Sequence, residues 1–181
     1  VHAYLLFFTD QGKVYRAKAH ELPKTTRTAQ GSLIHNVLSM SQDEKIQAII
    51  DTRDYETEKF LLIMTEKGTI KKSAFKDFDS NYKSLQAIKL KEDDKVVSVK
   101  TTSGIEDVIL VSRKGQAIRF DEKNLKPQGR TAMGVRGIKL REGDKVVGAA
   151  TSRDETLLFI TAKGYGKRTN LDEFRKAGRG G

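Results

Sequence analysis

A cation recurs at one register of this chain. It is Arg16, Lys72, Arg119 and Arg168, each four residues after a glycine (Gly12, Gly68, Gly115, Gly164). Lys71 and Lys167 stand beside two of them. A guanidinium or ammonium held at a fixed place in a repeated element suits one kind of chemistry, the charge-assisted binding of oxyanions. Four such groups in a row present a polyanion with a row of contacts. The competing reading is an edge-strand gatekeeper against aggregation, which explains Lys as readily as the Arg that dominates here. A second basic set lies further on: Arg27, Lys83, Arg130 with Arg136, and Arg179. Small residues and glycines accompany it, as in Thr28-Ala29-Gln30-Gly31 and Gly129-Arg130-Thr131-Ala132-Met133-Gly134. Glycines let backbone N–H groups approach an anion closely, although solvated charges on a loop give the same composition.

The elements that must position these cations are themselves repeated. LLFFTDQG at 5–12, LLIMTEKG at 61–68, VILVSRKG at 108–115 and LLFITAKG at 157–164 share one grammar: four apolar residues, a hydroxyl residue, two turn residues and Gly. The glycines are 56, 47 and 49 residues apart, a period that signals stacked supersecondary units. The quartets are too short for helices and read as strands buried on both faces. The glycine supplies a hairpin with positive φ. A second strand follows in KVYRAK at 13–18, TIKKS at 69–73, QAIRF at 116–120 and YGKRT at 165–169. The cation four after the glycine shares its parity with Val14, Ile70, Ala117 and Gly166. Its stem is expected to lie on apolar surface with the head in water.

The second half of each unit also repeats. Leu38-Ser39-Met40, Ile88-Lys89-Leu90 and Ile138-Lys139-Leu140 alternate as a strand would. Acidic turns at Asp43-Glu44, Asp93-Asp94 and Gly143-Asp144 then lead into Lys45-Ile46, Lys95-Val96-Val97 and Lys145-Val146-Val147. About four strands per unit is the size of a propeller blade. The units run approximately 1–56, 57–103, 104–152 and 153–181, the last without its second half, within a single domain of residues 1–181. Starting at Val1 and stopping inside a repeat, the chain reads as a piece of a longer protein. Nothing longer than a helical turn is expected, at 171–176. If the units stack alike, acids line one rim and bases another.

The bulk numbers narrow the function. The net charge is +10, which favours polyanionic partners. There is no Cys for a disulfide framework or thiolate metal site. No apolar run approaches a membrane span. His2, His20 and His35 share no metal-ligand spacing. Asp51, Asp54, Glu56 and Glu58 do not form a calcium loop. No Tyr has a recognisable partner set for nucleophilic work. No catalytic, cofactor or metal site is expected.

The string GVRGIKLREGDKVVG at 134–148, with GYGKRT at 164–169, GKVYRAKAHELP at 12–23 and RTAQG at 27–31, strongly resembles the C-terminal domain of the bacterial DNA gyrase A protein. The resemblance runs over essentially the whole chain. It implies an all-β fold, a β-pinwheel or propeller-like array of four-stranded blades that exchange a strand between neighbours. It also implies sequence-independent wrapping of double-stranded DNA around a basic outer rim, in support of negative supercoiling, in the bacterial cytoplasm. On this reading Arg16, Arg27, Lys71, Lys72, Lys83, Arg119, Arg130, Arg136, Lys167, Arg168 and Arg179 are the candidate DNA contacts. The strand-cutting Tyr, ATP and Mg²⁺ belong to other parts of an enzyme that joins two copies of the A protein with two of the B protein. The glutamine-led basic glycine box of the family is absent. Arg175-Lys176-Ala177-Gly178-Arg179-Gly180-Gly181 is a partial echo. The corresponding C-terminal domain of topoisomerase IV and a propeller-type protein-interaction scaffold stand as alternatives.

Overall fold

The computed structural model describes residues 3–52, 55–153 and 155–181; His2 and Asp54, named above, lie outside them. Each apolar quartet forms the first strand of a hairpin. Strand β1 (Tyr4–Thr9) turns at Gly12 into β2 (Lys13–Lys18), and β3 (Ile46–Thr52) returns along the other side of β1. The second unit repeats this with β4 (Phe60–Thr65), β5 (Thr69–Ala74), a short β6 (Ser84–Gln86) and β7 (Val96–Thr102). The third has β8 (Asp107–Ser112), β9 (Ala117–Asp121), β10 (Val135–Arg136) and β11 (Val146–Thr151). The fourth contributes β12 (Thr156–Ile160) and β13 (Gly166–Asn170). The four hairpin glycines have φ between 78° and 84°, the left-handed region the turn requires.

The sheets are antiparallel, and the short strands do not stay in the unit that encodes them. The first sheet has the order β3-β1-β2-β6 and the second β10-β5-β4-β7. Strand β6 of the second unit therefore closes the first sheet, pairing Leu85 with Val14. Strand β10 of the third closes the second, pairing Val135 with Ile70. The third sheet is β11-β8-β9, and residue 176 of the fourth unit bridges to Arg119 at the β9 edge. Strand β7 packs against both β3 and β11, so these three strands form the inner side of the array. The exchanged strands lie at the opposite, outer edge.

The core lies between successive sheets. Leu6, Phe8 and Val14 of the first unit pack with Leu61, Ile63, Phe75, Phe78 and Ile88 of the second. Leu62, Met64 and Ile70 of the second pack with Val108, Leu110, Ile118 and Phe120 of the third. A strand covered on both faces must be apolar at consecutive positions, which accounts for the quartets. The back of the first sheet, at Phe7 and Tyr15, is covered by helix α1 (Ile34–Leu38) with Met40. The expected strand at Leu38-Ser39-Met40 is thus a helix end, with Ser39 left-handed at φ 53°. Ile88-Lys89-Leu90 and Ile138-Lys139-Leu140 form no regular strand either. They run extended just beyond β6 and β10, where the backbone N–H groups of Ile88 and Ile138 donate to the carbonyls of Gly12 and Gly68. The helical turn expected at 171–176 is a 3-10 turn over Leu171–Glu173.

Candidate nucleic-acid interface

Parity decides the fate of the repeated cation. Arg16 and Lys72 lie on the face of their sheet that also carries Val14 and Ile70, and this face is pressed against the following unit. Their heads therefore enter a junction instead of reaching water. Arg16 donates to the carbonyl of Ser80, lies 3.8 Å from Asp79 and stacks over the Tyr4 ring at 3.6 Å. The Lys72 side chain is 5% exposed; its Nζ is 3.0 Å from the Glu122 carboxylate and 4.1 Å from the Phe60 ring centroid. Arg119 donates 2.8 Å to Asp107 and 2.7 Å to the carbonyl of Leu171. In each case a partner sits in or just after the 3-10 turn of the next unit. The expectation of water-facing heads is corrected here: at three junctions this cation fastens one unit to its successor. Arg168, at the same register in the fourth unit, is exposed.

Lys71 points to the opposite face. It is 1% exposed. Its Nζ donates to the carbonyls of Ala87, Gly129 (3.1 Å) and Arg130 (2.6 Å). Burial pushes its pKa down to about 8, against the pull of Asp77 and assisted by Arg130. Its sequence counterpart Lys167 is exposed.

The second basic set behaves differently. Arg27, Lys83, Arg136 and Arg179 are exposed, and Arg130 is half-buried. Lys83 immediately precedes β6, and Arg136 lies on β10 with Val135 turned inward. The Arg179 guanidinium donates 2.7 Å to the carbonyl of Arg136, and the bridge between Ile138 and Gly180 lies beside it. The outer edge therefore brings Arg136 and Arg179 together, with Arg130 six residues upstream on the same segment. Arg27 sits apart on the first unit's loop. Sequence reasoning passed over Lys89 and Lys139, both exposed beside the exchanged strands. Their signal was the repeated Ile-Lys-Leu, in which the apolar pair anchors inward and the Lys must point out.

The acids of the turns before β3, β7 and β11 are committed to the hairpin ends. Asp94 accepts from the Thr65 hydroxyl at 2.7 Å and the Lys67 amide at 3.0 Å. Asp144 accepts from Ser112 and Lys114 in the same way, at 2.6 and 3.0 Å. The hydroxyl residue before the second and third turns is thus one half of a clasp that the acidic turn completes. Glu44 is buried, 2.8 Å from Lys13 and 3.1 Å from the Tyr15 hydroxyl. These turn acids therefore gather at the hairpin ends and Asp79, Asp107 and Glu122 sit in the junctions, while the exposed cations named above follow the exchanged outer strands. Among the described residues no cluster of His, Asp or Glu could hold a metal ion, and no helix is long and apolar enough to cross a membrane.

Known proteins share this geometry. A family described as the DNA gyrase C-terminal domain, beta-propeller, matches residues 3–52, 59–103, 106–153 and 155–181. The A protein of DNA gyrase from Mycolicibacterium smegmatis is 42% identical over 99% of the chain, and that from Staphylococcus aureus is also 42% identical over 99%. The chain spans about a fifth of these relatives, 22% and 21% of their lengths. A solved C-terminal domain of DNA topoisomerase IV superposes with a TM-score of 0.90 at 35% identity, covering 99% of this chain and 57% of that one. A DNA gyrase A C-terminal domain superposes with a TM-score of 0.82 at 30% identity, covering 99% and 58%.

Proposed function

Because the chain belongs to the DNA gyrase C-terminal domain family, we propose that it is a non-catalytic module that binds and bends double-stranded DNA along its outer edge. The observation that carries this reading is the separation of the cations into two populations. One faces into the junctions and is paired. The other, Lys83, Arg136, Arg179 and the neighbouring Lys89 and Lys139, stands exposed along the exchanged strands. Charges free at the outer edge of successive sheets meet phosphates without reading bases. Lys167 and Arg168 extend the set on the fourth unit, and Arg27 on the first. The junction cations Arg16, Lys71, Lys72 and Arg119 support the rim from within.

Bending opposes the binding. A smooth bend of 40–90° over a short site costs about 1–6 kcal/mol, more than one or two exposed ion pairs offset. A repeated rim supplies the number of contacts required. With roughly 6–8 phosphates neutralised, affinity drops about 10³–10⁵-fold between 50 and 200 mM salt. Fluorescence anisotropy with a short mixed-sequence duplex across that range tests the reading, with an acidic polypeptide as competitor. A salt slope near zero, or preference for the polypeptide, would favour a protein-interaction scaffold. In the whole enzyme the module supports supercoiling, with DNA cutting and ATP hydrolysis carried by other segments and other chains. The high superposition on a topoisomerase IV domain favours a second reading, in which the parent enzyme is a topoisomerase IV. A supercoiling assay of the holoenzyme separates the two.

A further inference from the structure

The three carbonyls around Lys71 fix more than a lysine. Two of them, from Gly129 and Arg130, belong to consecutive residues of one turn, and both aim at the buried ammonium. In a trans peptide the carbonyl and the following N–H point in opposite directions. Turning these two carbonyls inward turns the N–H groups of Arg130 and Thr131 outward. Neither N–H has a partner among the described residues, whereas that of Ala132 closes the turn onto the Gly129 carbonyl at 3.1 Å. The turn is pinned on both sides. The Gln128 amide donates 2.7 Å to the Lys72 carbonyl, and the Lys89 amide donates 3.2 Å to the Ala132 carbonyl. Thr131 is exposed and adds a hydroxyl beside the two amides.

We propose that the turn Gly129–Ala132 is an oxyanion seat on the outer edge, which takes one phosphodiester oxygen pair of the nucleic-acid backbone. Its direct donors are the N–H groups of Arg130 and Thr131 with the Thr131 hydroxyl, and the Arg130 guanidinium lies at its side. Lys71 is the positioning residue. Its charge sits behind the peptide planes, orients them, and polarises each C=O so that the N–H on the far side donates more strongly. The ammonium that the register placed among direct contacts therefore acts through a turn of the following unit. Among the described residues no turn covers the counterpart Lys167. This seat rests on the rim reading given above, as one of its phosphate contacts.

Backbone-amide NMR of the domain, titrated with inorganic phosphate and separately with a short mixed-sequence duplex, tests the seat. The expected result is a downfield shift of the Arg130 and Thr131 amide protons with both ligands. Lys71→Met, similar in length and uncharged, should lose that response and bind the duplex about tenfold more weakly, while amides of the first sheet keep their positions. Duplex binding that leaves the two amides unmoved overturns the seat and leaves the rim standing. Phosphate shifts without duplex binding overturn the rim and keep the seat as an anion site. An unchanged response in folded Lys71→Met removes Lys71 from the proposal. Where that variant does not fold, the wild-type titration decides whether the seat exists.

Discussion

The second and fourth units carry nearly the same residues on the face that looks along the array, and within residues 1–181 only the second has a following unit packed against it. Leu62 and Met64 are 0% and 1% exposed, whereas their counterparts Leu158 and Ile160 are 64% and 69% exposed. Lys72 is paired with Glu122 inside a junction, whereas Arg168 at the same register lies open. Gly68 is pressed against the next unit, where an added Cβ would lie 2.9 Å from the Ile138 carbonyl oxygen, whereas the space around Gly164 is empty. A sequence repeat thus specifies where a side chain sits in its own hairpin. What covers it, and therefore what its charge does, comes from the unit that follows.

The most severe way to break this comparison is Lys72→Ala. It leaves the fully buried Glu122 carboxylate without its cation and should cost about 3–5 kcal/mol, read as a fall in the urea midpoint. Arg168→Ala should change stability by less than about 0.5 kcal/mol. Equal costs would show that the junction pairing is inert.

Glycine substitution sharpens the same contrast. Gly164→Ala places a side chain at φ 84° in open space and should cost about 1–2 kcal/mol. Gly68→Ala, at φ 81°, should cost clearly more because the methyl also collides with the Ile138 carbonyl. Matching urea midpoints would mean that the exchanged segment yields.

A third test uses pH. Burial lowers the Lys71 pKa to about 8 from an ordinary 10.5. Between those values the unfolded chain holds a proton that the native state has released. Stability contributed by this group therefore rises with pH across the window and is level below it, by about 3 kcal/mol in all. Subtracting the stability profile of Lys71→Met from that of the wild type should isolate the rise. The smallest effect belongs to the exposed rim. Arg136→Ala should weaken duplex binding several-fold, equally for all sequences, and lower the salt slope by about one.

Much of the hairpin architecture was legible. The four quartets, the glycine turns and the second strands appear where their pattern put them, because local alternation and positive φ are properties of a short segment. The inner strands after the acidic turns were legible for the same reason. Strands β6 and β10 were not. Ser84-Leu85-Gln86 and Val135-Arg136 are too short to show a period, and their partners lie in the preceding unit, a relation known only through family resemblance. Leu38-Ser39-Met40 looked like its repeats, yet Ile34, Val37 and Leu38 fold as a helical turn because they cover Phe7 and Tyr15. For the site, register found Arg16, Lys72 and Arg119 and misjudged their surroundings. Burial at a junction is a long-range property, and an Arg in water has the same letter as an Arg under Tyr4. Lys83 and Arg136 were found from their place in the segment after each hairpin, and both side chains are exposed.

The exchange of strands also sets an order of events at the ribosome. Residues 4–18 can form their hairpin early, but the outer edge of the first sheet is sealed only when residues 84–86 have emerged, and that of the second only with residues 135–136. Each sheet therefore spends the synthesis of about one whole unit with an open edge. An open edge accepts any passing strand, and the next unit along carries a near-equivalent one. Vectorial synthesis resolves that competition at the first sheet, because residues 84–86 emerge before residues 135–136. Refolding of the full-length chain from denaturant lacks this timing, and mispaired neighbours are its expected trap.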